Sequence, residues 1–363
     1  NLLAIPWVTL LLTPLALLGV VVPAVWGLAT QATDGLWWWL SALATWPAAT
    51  VTWPLPPLGW GLLAVAGGML CALPVPLHVR ALGLPLLVPL LLWRPALPAP
   101  GDFELLAADV GQGNAVLVRT AQHALLFDAG PRYSLESDAG HRVLVPLLKA
   151  LDVRLDTVVL SHRDTDHVGG AAAVLAMQPQ ATLISSIEPS HPLQQLRPAR
   201  RCEAGQHWVW DGVPFEVLHP QVADYVQPAK PNALSCVLRI GTGAHSALLV
   251  GDIEAAQEAR LVQAWQGTDH LRAAVLLVPH HGSKTSSTPE FLQAVQPQWA
   301  LVQAGYRNRF GHPAPPVLAR YAEAGTDLVS SPRCGAMRWR SEQPQNVACT
   351  REDERRYWHH LVP

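Results

Sequence analysis

The first hundred residues are almost without charge. They hold one acid, Asp34, and two strong bases, Arg80 and Arg94, in a chain of which 14% is charged. A segment this poor in ionisable groups cannot make a soluble surface, which excludes an ordinary globular domain there. Cysteine is scarce as well, with five in 363 residues, at Cys71, Cys202, Cys236, Cys334 and Cys349. Their spacings match neither a zinc ribbon nor a redox pair. Disulfides among the last four are permitted at an outer face, although sequence does not pair them. Cys236, inside "ALSCVLRI", reads as a buried strand residue. The start lacks a basic n-region and a small-residue cleavage site, which argues against a signal peptide. Internal repeats and long low-complexity tracts are missing too.

What the first part does contain is apolar. "LLAIPWVTLLLTPLALLGVVVPAVWGLA" (2–29) has no charge, and it exceeds the ~20 residues that cross a bilayer core. Pro6, Pro14 and Pro23 are kinks of a kind that membrane helices tolerate. "LGWGLLAVAGGMLCAL" (58–73) and "ALGLPLLVPLLLW" (81–93) are shorter runs. Between 30 and 60, Trp37, Trp38, Trp39, Trp46, Trp53 and Trp60 suit the headgroup level, where an amphipathic ring is favoured. Residues 1–98 are therefore expected to be helices of a multi-pass protein of the inner (cell) membrane, with the lipid bilayer as partner. Arg80 and His78 lean towards a cytoplasmic loop, which would deliver residue 101 to the outer face. Arg94 pulls the other way. Because the chain begins at Asn1 rather than Met, it is expected to be the tail of a longer protein.

A proline-rich joint, "RPALPAPGD" (94–102), leads into a second domain, 101–363. That domain holds the remaining 26 acids and 23 Lys/Arg, a formal charge of −3. Short β-rich runs predict strands at 103–109, 115–119, 124–128, 156–160, 181–184, 213–218, 234–240, 245–250, 274–278, 298–302 and 335–340. Helices are predicted at 141–151, 169–177, 254–266, 288–295 and 315–324. Strands interspersed with helices indicate a layered α/β domain.

Polar loops follow the strand ends. "SHRDTDHVGG" (161–170) gathers His162, Asp164, Asp166 and His167 after an apolar run. On an extended turn the first three converge, with His167 left for an adjacent centre. Zn²⁺ and Mn²⁺ accept such mixtures of imidazole and carboxylate. Gly169 and Gly170 allow a close turn into the next helix. Taken alone, the loop is also explained as a solvated turn with an N-cap aspartate. Further on, Asp252 follows "SALLV" and a glycine, while His280 and His281 follow "AVLLV" and a proline. With these added, there are enough ligands at strand ends for two metals.

The series "GQGNA", "DAG", "SHRDTDHVGG", "GDIE" and "PHHGSKTS" resembles the metallo-β-lactamase superfamily. With the upstream apolar runs beginning "NLLAIP", the chain resembles the C-terminal half of ComEC-type competence proteins, the DNA-internalisation channels of transformable bacteria. That resemblance implies an αββα sandwich preceded by transmembrane helices, and two divalent ions, Zn or Mn. His162, Asp164 and His281 would lie on one ion and Asp166 and His167 on the other, with Asp252 bridging. His281 is preferred to His280 because the superfamily ligand commonly precedes a glycine, here Gly282. The family's mid-domain histidine has no clear counterpart, and Asn232 and His219 are the candidates. Asn114 stands where the family has aspartate. In "GYRNRFGHP" (305–313), Asn308 and His312 are expected to contact a phosphate or protonate a leaving group, the plainer account being a turn with a surface histidine. Ser283 and Lys284 are candidate phosphate contacts. Arg197, Arg200 and Arg201 form either a basic patch or a solvated face.

The implied function is DNA uptake, with a metal-dependent phosphodiesterase degrading the strand that does not enter. The competing expectations are a domain that guides or gates DNA without cutting it, and another metallohydrolase of lactamase or thioesterase type. The implied partners are single- or double-stranded DNA, the remaining N-terminal part of the same channel protein and other competence proteins. A formal charge of −3 opposes binding of a polyanion, so metal and local arginines must supply the attraction.

Overall fold

A computed structural model of the chain describes residues 1–363 except 47–48, 50, 55, 227–228, 354 and 356–363. Two compact units are present, Asn1–Trp53 and Pro54–Pro363. In the first, the run expected to continue from 2 to 29 breaks ahead of Pro23. Val22 leaves the helical region (φ −123°, ψ 91°), as the residue before a proline tends to do. Helix Ala4–Val21 results, and among the described residues it alone is long and apolar enough to cross a membrane. A second helix, Val25–Ala44, carries Trp37, Trp38 and Trp39 on its C-terminal half. Trp7 ties the two together, its Nε1–H donating to the Ala32 carbonyl at 3.0 Å.

The second unit begins with two shorter apolar helical segments, Leu58–Ala72 and Leu77–Leu92. The domain that follows is built on two large sheets. One has eight strands, in the spatial order Val347–Cys349, Met337–Arg340, Glu104–Ala107, Val116–Arg119, Ala124–Phe127, Thr157–Leu160, Thr182–Ser185 and Ala199–Arg201. The other has seven, in the order Asp327–Ser330, Trp299–Val302, Val275–Leu277, His245–Leu249, Val237–Thr242, Val213–His219 and His207–Trp210.

Side-chain alternation explains the layering. Leu105, Val118, Phe127 and Val159 of the first sheet meet Phe215, Leu238, Leu249, Val275 and Leu301 of the second in one core. The alternate residues Leu106, Leu117, Leu126 and Val158 face outward, against Leu144, Leu148, Val174 and Leu175 of the helical layer. On the far side, Leu248, Leu276 and Ala300 pack on Leu261, Phe291, Val295, Val317 and Tyr321. Helices thus cover both outer faces, an αββα sandwich. Strands buried on both faces read as unbroken apolar runs, and all eleven expected strands form within three residues of their expected limits. Short strands at the edges, such as Ala199–Arg201 and His207–Trp210, were not expected. Arg200 and Arg201 of the "RPARR" run lie exposed on the first of these.

The four cysteines of the domain are paired, Cys202 with Cys236 and Cys334 with Cys349. Both sulfur atoms of the first pair sit in the core between the sheets, which Cys236 enters just before strand Val237–Thr242.

Strand direction decides where the polar loops gather. Ala124–Phe127, Thr157–Leu160 and Thr182–Ser185 run parallel, as do His245–Leu249, Val275–Leu277 and Trp299–Val302. Their C-terminal ends therefore share an edge of each sheet, where side chains converge in open α/β sheets. Val116–Arg119 and Val237–Thr242 are antiparallel to these neighbours. Their starts, next to Asn114 and Ser235, reach the same edge.

Candidate metal centre

His162 follows strand Thr157–Leu160 and is buried, as are His167, Asp252 and His281. Asp164 and Asp166 are more open, with 43% and 31% of their side chains exposed, so the site has a solvent-facing lip. Extended alternation ends at Asp164. The chain there turns into a helical segment, Thr165–Val168, with Asp164 in the N-cap position. That turn swings Asp166 and His167 towards the second sheet. Two glycines make the approach feasible. At Gly113 (φ +141°) a side chain would collide with the Asp166 carbonyl, and at Gly170 it would strike the Ala129 carbonyl and Gly140 backbone.

Donor atoms of Asp166, His167, Asp252 and His281 lie within 4.8 Å of one another. His167 Nε2 is 3.1 Å from Asp252 Oδ1, and His281 Nε2 is 3.3 Å from Asp166 Oδ2 and 3.6 Å from Asp252 Oδ1. Nitrogen and oxygen ligands on one tetrahedral ion at ~2.1 Å would stand about 3.4 Å apart. His162 lies beside this group, its ring 4.2 Å from that of His167 and its Nε2 3.5 Å from Asp164 Oδ2. The resemblance had put His281 with His162 and Asp164. In the structure His281 stands instead with Asp166 and His167, because the helical turn at 165–168 carries those two across to it.

Each buried imidazole has its far nitrogen occupied. His167 Nδ1 is 2.7 Å from Asp128 Oδ2, His281 Nδ1 is 2.8 Å from the Gln303 carbonyl, and His162 Nδ1 lies 3.0 Å from Ser161 Oγ. An acceptor at Nδ1 keeps the proton there and turns the Nε2 lone pair to the centre, as ligating histidines require. All three Nε2 atoms, with Asp252 Oδ1, are buried without a hydrogen bond from the protein. Buried polar atoms left unsatisfied are costly, and divalent cations bound at this edge would satisfy all four. The donor set therefore fits a metal.

The electrostatics agree. Burial opposes charge on His167, but the Asp252 and Asp128 carboxylates outweigh it and raise its pKa well above the usual imidazole range. His281 is raised likewise, burial being overcome by Asp252 and Asp166. Burial pushes Asp166 up, yet the His281 imidazole 3.3 Å away and the charge of His167 bring it to about 2. Burial pushes Asp252 up as well, but His167 and His281 hold it well below the usual carboxylate range; both carboxylates are thus ionised at neutral pH, and their charge attracts a cation.

Backbone strain marks the same place. Asp128, His280 and His281 all adopt left-handed conformations (φ 58°, 50° and 54°), each costing about 1–3 kcal/mol in a non-glycine residue. Contacts on either side hold the histidine pair: His280 N–H donates to the Gly251 carbonyl at 3.1 Å, and Ser286 Oγ to Pro279 at 2.8 Å. His280 turns to the rim, 3.7 Å from Asp252 Oδ2 and 3.5 Å from Glu254 Oε1. Asn232 joins it there, with Nδ2 3.4 Å from His280 Nε2. His219 is engaged elsewhere, its Nδ1 at the Ser235 carbonyl and its Nε2 facing Arg260 and Asp224.

His312 stands with its ring 5.7 Å from that of His280, and burial together with the charge of His280 lowers its pKa. Asn308 does not reach the centre. Its amide donates to the Gly305 and His312 carbonyls, and its Oδ1 accepts from Phe310 and His312 N–H, so it shapes the loop that carries His312. Ser283 is buried against Thr285 (3.0 Å), while Lys284 is exposed. Asn114 is buried beneath the centre, its N–H on the Asp166 carbonyl at 3.2 Å, and neither side-chain atom finds a partner. Asp128, Ser161, Ser235 and Gln303 were not among the expected site residues. The signal for two of them was present: Asp128 and Ser161 are the first polar residues after the fully buried strands Ala124–Phe127 and Thr157–Leu160.

A family model described as the metallo-beta-lactamase superfamily matches residues 108–305. Over 345 residues the chain is 37% identical to Competence protein ComA of Neisseria gonorrhoeae, covering 93% of this chain and 47% of that protein. It is 31% identical to the uncharacterized protein YcaI of Escherichia coli (strain K12), covering 99% and 47%. With ComE operon protein 3 of Bacillus subtilis (strain 168) it shares 30% identity, over 69% of this chain and 34% of the other. The chain thus spans about half the length, or less, of these curated relatives.

Proposed function

Since the chain belongs to the metallo-β-lactamase superfamily and is of the ComEC competence type, we propose that it takes part in DNA uptake as a membrane segment joined to a metal-dependent phosphodiesterase. In this reading residues 1–98 are helices of a multi-pass DNA channel in the inner (cell) membrane. Residues 101–363 lie on the outer side and degrade the strand that is not taken up. The paired cysteines suit such an oxidising location. The rest of the channel protein, other competence proteins and the bilayer are the partners.

One observation carries the catalytic reading: three buried imidazoles present unsatisfied Nε2 atoms beside the Asp166 and Asp252 carboxylates at one sheet edge. A pair of divalent ions, Zn or Mn, would supply there an activated water and charge stabilisation for the oxygens of a phosphodiester. Asp166, His167, Asp252 and His281 would hold one ion, with His162 and Asp164 on the other and Asp252 between them. His312 is offered as the proton donor to the leaving oxygen; its lowered pKa leaves the resting ring neutral, so it would first take the proton released by the attacking water and then pass it to that oxygen. Asn308 positions it, while Ser283 and Lys284 are offered as phosphate contacts. The test is cleavage of DNA by the purified chain with Mn²⁺ or Zn²⁺, lost in Asp166→Ala. Intact DNA under every metal would refute hydrolysis.

Asn114 favours a second reading, in which the domain guides or gates DNA without cutting it. The family's usual residue there is aspartate, and a neutral amide under Asp166 offers a cation less charge. Metal binding without cleavage would support this alternative.

A further inference from the structure

We propose that loop 305–313 is a stacking platform that delivers single-stranded nucleic acid to the metal centre. The loop reads Tyr306-Arg307-Asn308-Arg309-Phe310 at its tip and contains no acid. Both rings face solvent, Tyr306 44% and Phe310 52% exposed. Each carries a guanidinium, with Arg307 5.1 Å above the Tyr306 ring and Arg309 4.8 Å above that of Phe310. A ring for a base and a cation for its phosphate therefore occur twice in succession, matching two neighbouring nucleotides. The local charge of +2 also answers a difficulty, since the domain as a whole carries −3 and would repel a polyanion.

Position makes this more than a sticky loop. Phe310 stacks on His312 (centroids 5.7 Å, planes at 25°), and His312 meets His280 at 5.7 Å. His280 in turn lies 3.7 Å from Asp252, so a track of rings leads from the exposed tip to the cluster. Its base is anchored. Gly305 N–H donates to Gln112 Oε1 at 3.1 Å, and two residues earlier the Gln303 carbonyl receives His281 Nδ1. Asn308 braces the interior of the loop with four hydrogen bonds. Stacking on protein rings needs exposed base faces, which a duplex conceals and a single strand offers irrespective of sequence.

The purpose of the platform rests on the hydrolase reading above, but its test does not. The full chain, purified in detergent with chelator present, is titrated by fluorescence anisotropy against labelled strands of about 12 nucleotides. The probes are a thymidine strand, an abasic strand of equal length and a blunt duplex. The thymidine strand should bind tightest. Phe310→Ala should weaken it about 5- to 100-fold and leave the abasic strand within about twofold. Phe310→Trp should retain binding, and Phe310→Leu, which keeps apolar bulk without a π-face, should behave as the alanine variant does. Arg309→Ala should weaken both strands and lower the salt slope by about 0.7. Equal affinity for abasic and base-bearing strands, preference for duplex, or indifference to Phe310→Ala would overturn the platform. Cleavage with Mn²⁺ or Zn²⁺ is scored separately. A chain that binds through Phe310 yet cuts nothing defeats the hydrolase reading alone, while one that cuts but ignores Phe310 defeats the platform alone.

Discussion

Replacing Asp128 by asparagine changes one oxygen into an amide at a position with no exposure to solvent. Three groups depend on that carboxylate. Oδ1 accepts Ser161 N–H at 2.6 Å, and Oδ2 accepts Ser161 Oγ–H at 2.8 Å and lies 2.7 Å from His167 Nδ1. Asparagine can keep the Ser161 N–H bond through its carbonyl, but its NH₂ then points at His167. Donor meets donor, and the imidazole relieves the clash by moving its proton to Nε2, the atom that must face a cation. The lost charge-assisted hydrogen bond is worth about 1.5–3 kcal/mol. Partners behind ligating histidines typically contribute 10–100-fold in metal affinity, which is ~1.4–2.7 kcal/mol, so two independent estimates agree.

Asp128→Asn is therefore expected to bind Zn²⁺ or Mn²⁺ 10–100-fold more weakly than the parent chain. Competition against a chelator of known affinity measures this directly. Thermal unfolding gives a second reading, because stabilisation by metal follows its affinity: at saturating metal the increment should shrink by about 1.4–2.7 kcal/mol. An affinity within about twofold of the parent, in a variant that folds, would show that Asp128 does not orient His167. The same result would undo the assignment of His167 as a ligand through Nε2.

Two further substitutions examine other parts of the structure. Gly113→Ala places a methyl group against the Asp166 carbonyl in a left-handed backbone; metal affinity should fall by at least about tenfold, as for other losses of ligand support, and unchanged titration curves would contradict the packing described. Glu104→Gln breaks a buried cluster in which Oε1 accepts from Arg119 at 2.6 Å and Oε2 from Arg340 at 2.9 Å. It should cost about 3–5 kcal/mol at pH 7 in denaturant titration, because Arg119 is left buried without its counter-charge. Burial raises the Glu104 pKa, but Arg119 and its neighbours outweigh burial and hold it below the usual carboxylate value. Its contribution is thus present above the unfolded-state pKa near 4.5 and lost as pH falls through the lower folded value. The gap between parent and variant should accordingly narrow in acid, and a constant gap would be evidence against the ion cluster.

Why the strand ends could be read from sequence, and the site's inner arrangement could not, follows from burial. Runs such as "VVL", "ALLV" and "VLLV" are apolar because both faces of each strand are covered, so the polar residues that follow each run fall at the sheet edge. That reasoning reaches His162, Asp252 and the His280–His281 pair. It does not reach the grouping of ligands. Period-two alternation was carried through "HRDTDH", whereas Asp164 caps a helical turn that redirects Asp166 and His167. Nor could spacing pair Cys202 with Cys236, whose closeness depends on how two sheets stack. Asn308 shows a different limit: its motif was legible, but its amide faces its own loop rather than the centre. The missed residues point to a rule that sequence alone supports. An imidazole buried at a metal site has two nitrogens, and whichever faces away must find an acceptor where water cannot supply one. One acceptor here, the Asp128 carboxylate, belongs to the residue that closes a fully buried strand beside the strand leading to His162 and His167, whereas the Gln303 acceptor is a main-chain carbonyl that any residue would supply. A carboxylate closing a fully buried strand beside a ligand-bearing strand is thus a candidate partner for a ligand's second nitrogen.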